Sequence, residues 1–151
     1  IVEEEKRRLW EGWLRNYFEF RLDVGIPFED EEWKAMIKWS MHLEEFLPEI
    51  AKLLARRPSV RVGDRLYSQL REREGLFRHP DSFADFLLYL LEAEEGLFYE
   101  CEYVAEIFHK LVNEGGSKGK LRQIAERLAE LGCTNAQELA KLIGGDAPAP
   151  R

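Results

Sequence analysis

The chain has 151 residues, of which 45% are apolar and 34% charged, and it carries a formal net charge of −7. A chain of this length buries about two-thirds of its extended surface, so it needs neither a metal nor disulfide staples to hold a core. Its apolar runs are a few residues long against the ~20 of a spanning helix, and an acidic body repels a phosphate backbone, so membrane insertion and broad nucleic-acid binding are both disfavoured.

Residues 3–24 predict a first helix, because Leu9, Trp10, Trp13, Tyr17, Phe20 and Val24 recur at three- and four-residue spacing and share one side. Gly25-Ile26-Pro27 ends it, since proline has no amide donor and restrains its predecessor. The acidic run Glu29 to Glu32 suits the exposed amides of a second helix start. That helix carries Trp33, Met36, Ser40, Leu43, Leu47, Ile50 and Leu54 on one face, with Pro48 predicting a kink or division near Phe46-Leu47. Arg57-Pro58 stops it, residues 58–63 read as a loop, and a shorter helix is expected from Asp64 to about Glu74 with Leu66, Tyr67 and Leu70 inward.

Residues 82–113 predict one long helix. Ser82 and Asp85 match a capping box, and an apolar face runs from Phe83, Phe86, Leu87, Leu90 and Leu91 through Leu97, Phe98 and Cys101 to Val104, Phe108 and Leu111. Glu94 is set into that face. A carboxylate there must find a donor or stay protonated. Gly96 weakens the middle of the helix by about 1 kcal/mol relative to alanine.

Beyond it, Asn113 to Gly119 is the one compositional boundary. The expected organisation is all-α: a multi-helix acidic bundle over 1–113, a glycine-rich linker at 114–119, a short two-helix appendage at 120–145 and a flexible tail at 146–151. Leu121, Ile124, Leu128 and Leu131 mark the first appendage helix, which Gly132 ends; Thr134 and Gln137 suggest a second capping box before Leu139, Leu142 and Ile143. The charge divides accordingly, 24 acidic and 16 basic residues over 1–110 against 5 and 6 over 111–151.

Cys101 and Cys133 have no CxxC spacing and no neighbouring histidine pair, and read as two lone thiols in a reduced, cytoplasmic protein. Glu106 and His109 form a Glu-x-x-His pair of the kind dimetal bundles use, but a full set needs a second such pair, and the chain has only His42, His79 and His109. No metal and no cofactor is expected. The basic residues Lys118, Lys120, Arg122, Arg127 and Lys141 are interleaved with Glu126, Glu130 and Glu138, which does not make a base-reading helix.

Arg73 and His79, five residues apart just before the long helix, resemble the Arg-x(4–6)-His signature of the HEPN family over seven of the 151 residues. The resemblance implies a helical domain that dimerises and cleaves RNA without metal, Arg73 stabilising phosphate charge and His79 assisting proton transfer. The residues themselves show no convergent nucleophile–base set. The leading expectation is therefore a non-enzymatic scaffold or regulatory protein that binds another protein or its own copy. Trp10, Trp13, Phe18 and Trp39 are its candidate contact residues, because aromatics supply large contact area at low entropy cost. The alternatives are the HEPN-like endoribonuclease and a small-molecule-binding regulator with Glu94 in its pocket.

Overall fold

The computed structural model describes residues 2–23, 47–55, 66–96 and 100–143. Among them are seven α-helices, one 3-10 turn and no strand: α1 (Val2–Asp23), α2 (Leu47–Leu54), α3 (Leu66–Leu70), the 3-10 turn (Glu74–Arg78), α4 (Pro80–Glu92), α5 (Cys101–Asn113), α6 (Lys118–Glu130) and α7 (Ala136–Lys141). The fold is all-α, as the periodicity predicts. None of the described helices is long and apolar enough to cross a membrane. The expected features at residues 24–46 and 56–65, among them Trp33, Trp39 and the 58–63 loop, lie outside the described residues, as do Leu97, Phe98 and the tail beyond 143.

Helix α4 is the hub. Phe83, Ala84, Phe86, Leu87, Leu90 and Leu91 are all buried, which leaves little of its circumference for water. Such a helix needs cover on more than one side; α2, α6 and the 3-10 turn provide it. Helices α5 and α6 each bury a stripe at spacing i, i+3, i+4, i+7: Val104, Ile107, Phe108 and Leu111 on α5, and Leu121, Ile124, Ala125 and Leu128 on α6. One contiguous core runs from Leu14 of α1 to Ile143 beyond α7.

The expected long helix is two. Helix α4 ends at Glu92, with Ala93 and Glu94 donating back to Leu90 and Leu91 in a tightened last turn, and α5 begins at Cys101. Two helices whose apolar stripes stay in phase look continuous in sequence, and the interruption shows only as Gly96. The Ser82/Asp85 capping box does not form either. Pro80 opens α4, where a missing amide costs nothing, and Asp85 instead pairs with Lys120 at 2.9 Å. Thr134 likewise does not cap α7; Asn135 holds the cap position with no side-chain bond.

The stretch expected as a linker is a tight turn. Helix α5 ends in a Schellman motif, with Gly116 N donating to Leu111 O and Gly115 N to Val112 O, and Gly115 takes the left-handed φ of 83° that this motif requires. Ser117 then caps α6 through Lys120 N. The same motif ends α6, where Gly132 has a φ of 88° and Cys133 N donates to Leu128 O. The two helices of the expected appendage pack on α4 and α5 and belong to the common core.

Cys101 and Cys133 are not lone thiols. They form a disulfide between the first residue of α5 and the α6–α7 turn, closing a loop of 32 residues. The reduced-thiol reading, and the argument for a reducing compartment that rested on it, is corrected accordingly. Spacing alone could not reveal the pair, because the α6–α7 turn reaches the start of α5 only once the three helices are packed. On the chain-entropy account a cross-link of this span stabilises by roughly 3–4 kcal/mol. Reduction, or Cys133→Ser, should lower the free energy of unfolding by about that amount in a denaturant titration, and intact mass under non-reducing conditions should lack two hydrogens.

Candidate interaction surface

Helix α1 presents its aromatic side to solvent. At about 100° of rotation per residue, Leu9, Phe20, Trp13, Tyr17 and Trp10 fall in that angular order within an arc of about 100°, and Leu14 lies just past Trp10. Leu14 is 5% exposed, whereas Leu9, Phe20 and Trp13 are 61%, 62% and 67% exposed and Tyr17 and Trp10 are 40% and 43%. Exposure falls toward the Leu14 edge, so among the described side chains the helix meets the body at that edge, against α2. Periodicity correctly marked an apolar stripe, but most of that stripe is not core. At about 200 Å² per aromatic side chain, the exposed fractions leave roughly 500 Å² of apolar area in one strip, at the upper end of what monomers expose. Past the Leu9 edge of the strip Arg15 and Glu19 form an exposed ion pair at 3.3 Å.

Of the expected contact residues, Trp10 and Trp13 lie side by side on this strip. Phe18 is on α1 and Trp39 is elsewhere in the chain; the side chain of the first and the whole of the second lie outside the described residues.

Glu94 is buried, at 7% exposure, as its place among leucines predicts. It follows the end of α4 rather than sitting within a helix. There Arg127 of α6 reaches three carbonyls: its Nε donates to Leu91 O at 3.0 Å and its Nη2 to Glu92 O at 3.3 Å and Glu94 O at 2.7 Å. A helix leaves its last carbonyls without amide partners and with partial negative charge, and a guanidinium answers both deficits. Sequence reasoning missed this role, although Arg127 falls three residues after Ile124 and four before Leu131, a cation set among apolar positions as plainly as Glu94 is an anion.

Arg73 and His79 bracket the 3-10 turn, both half-buried, with the buried Gly75, Leu76 and Phe77 between them. Glu74 pairs with Lys110 at 3.1 Å and Arg71 with Glu106 at 2.8 Å, and Arg71 lies 4.4 Å from the centre of the Tyr103 ring. The bond to Glu106 raises the Arg71 pKa further above its ordinary value, against the opposing effect of desolvation. This cluster ties the α3 end to α5 and accounts for Glu106; His109 is exposed. Because α4 is 13 residues long, about 20 Å separates His79 from Glu94. The two candidate sites stand at opposite ends of one helix and share no cleft. An open groove of about 570 Å³ lies between α2 and α4, walled by Pro48, Ala51, Ala55, Leu88 and Tyr89 with the Asp85–Lys120 pair at its edge; Glu94, Arg73 and His79 do not line it. Of the C-terminal cations, Lys120 and Arg127 are engaged within the chain.

A family model described as a domain of unknown function (DUF4020) matches residues 1–128. The chain belongs to the DUF4020 family. The matched stretch takes in the α1 strip, Glu94 and Arg127, so all three lie within the DUF4020 domain. No curated protein and no solved structure matches the chain.

Arg127→Ala removes three charge-assisted bonds from a partly buried helix end and should lower stability by about 2–3 kcal/mol in chemical denaturation. Arg127→Lys should recover only part of this, because an ammonium cannot span the three carbonyls as a planar fork does.

Proposed function

We propose that this DUF4020 domain is a non-enzymatic interaction module that receives a protein partner on the α1 strip, with Trp13 at its centre and Trp10 and Tyr17 on the edge nearest the body. One observation carries the reading: Leu9, Trp10, Trp13, Tyr17 and Phe20 are 40–67% exposed on a helix whose Leu14 is buried. Leaving that much aromatic surface in water forgoes the burial that a folded chain ordinarily exploits. Aromatic strips of this kind suit the centre of a protein interface, where large rigid side chains contribute most of the binding free energy. Charges of both signs border the strip, Glu5 and Glu19 beyond its Leu9 edge and Lys6 at its N-terminal end, as the polar rim of such an interface does.

The reading separates contact residues from folding residues on a single helix. In dilute protein, Trp13→Ala and Phe20→Ala should shift the free energy of unfolding by less than about 0.5 kcal/mol, as exposed substitutions do. Leu14→Ala should cost roughly 2–5 kcal/mol, the cost of a cavity in a core. Comparable losses at Trp13 and Leu14 would make the strip part of the fold and end the proposal.

A further inference from the structure

We propose that the α1 strip seats on the same strip of a second copy of this chain, the two α1 helices running antiparallel about a two-fold axis. This rests on the strip being a contact face and names its occupant. The first support is charge. Helix α1 carries six acidic and five basic residues, a net of −1, in a chain of −7. Two molecules that meet through α1 bring together segments of net −1 each, so little net like-charge repulsion opposes the contact.

The second support is self-complementary spacing. Leu9, Trp13, Asn16 and Phe20 are separated by four, three and four residues, the seam of a two-stranded coil. In an antiparallel pair the two kinds of seam position face each other. The register that lays Phe20 over Leu9 of the second copy also lays Trp13 over Asn16 of the second copy, and the two-fold repeats both contacts. An indole N–H then meets a side-chain amide oxygen, and an aromatic ring meets leucine. On one flank the same register sets Trp10 beside Tyr17 of the second copy. On the other it sets Gly12 beside Glu19 of the second copy, and around Gly12 no atom beyond the helix's own nearby backbone lies within 4 Å of where a Cβ would stand. No like charges oppose each other along this stretch. The strip's roughly 500 Å² per copy, with Trp10 and Tyr17 already counted, comes to on the order of 1,000 Å² for the pair, just under the ~1,200–2,000 Å² of stable interfaces.

Light scattering across a dilution series should give twice the 17.7 kDa of one chain when concentrated, falling toward one chain on dilution. Trp13→Glu should remain a single chain throughout, with an unchanged circular dichroism spectrum. Mixed Leu9→Cys and Phe20→Cys chains should cross-link with each other, and Leu9→Cys should not cross-link with itself, because its two copies lie about 16 Å apart along the pair in this register. A single-chain mass at every concentration, a dimer that survives Trp13→Glu, or self-cross-linking of Leu9→Cys each overturns the proposal. A hydrophobic-surface dye tells that failure from failure of the contact face. Dye bound by a single-chain wild type and lost in Trp13→Glu leaves the strip to a different protein, whereas no dye bound removes the contact face as well.

Discussion

The carbonyls of Leu91, Glu92 and Glu94 stand at the end of α4, the described helix that buries the most residues, where the last turn still supplies Leu91 O with the amide of Glu94. Arg127 answers all three from a neighbouring helix. Much of the architecture follows from that bond set. It lets α4 stop short of the run its sequence suggests, so that the chain can turn and send α5 elsewhere. It also fixes how α6 lies. Asp81 accepts from Ser117 N at 2.7 Å near the start of both helices, Asp85 meets Lys120 one turn on, and Arg127 meets the far end of α4. Residue numbers rise together along the contact, so α4 and α6 are parallel, with α5 as the crossover between them. The exposed pairs along this seam add little energy; their value is register. The disulfide then ties the start of α5 to the turn after α6, holding the crossover to the helix it leads to.

With α4 covered by α2, α6 and the 3-10 turn, Leu14 is the one residue of α1 in the core among its described side chains. That explains how a helix with so many aromatics sits at the margin of the fold. Its apolar strip was composed for burial, and the body offers it one edge. The burial energy not used in folding is available for association, and the pairing of two copies proposed above would use it. The two ends of α4 contribute differently. At one end Arg127 bonds the carbonyls of Leu91, Glu92 and Glu94, and the Arg73–His79 end is a compact turn knitted to α5 through Glu74, Lys110, Arg71 and Glu106.

The helices were legible because periodicity is a direct consequence of burying one face, and most of the stripes of α5 and α6 fell where spacing put them. The fully buried Ile107 was not among the expected positions. What spacing could not carry was orientation and distance. It marked the strip of α1 without saying that the Leu14 edge turns inward while Leu9, Trp13 and Phe20 face solvent. It ran α4 into α5 because two in-phase stripes look like one. It passed over Cys101 and Cys133, since a separation of 32 residues is silent about proximity. The turn at Gly115 to Ser117 has the composition of a linker, and only its hydrogen bonds reveal a Schellman motif joined to a helix cap. At the candidate sites, the burial of Glu94 was readable from its neighbours. The partner of the α4 end was equally readable in Arg127, but it passed as one more solvated cation in a mixed-charge hairpin.

Hydroxyl-radical footprinting with residue-level mass spectrometry tests the central claim most directly, because it reads side-chain exposure in solution without altering the chain. In dilute protein, Leu9, Trp13 and Phe20 should be heavily modified while Phe83, Phe86 and Phe108 stay protected, and raising the concentration should protect the first group alone. Protection of Trp13 and Phe20 in dilute, single-chain protein would contradict the account, since the strip would then be covered by the chain itself.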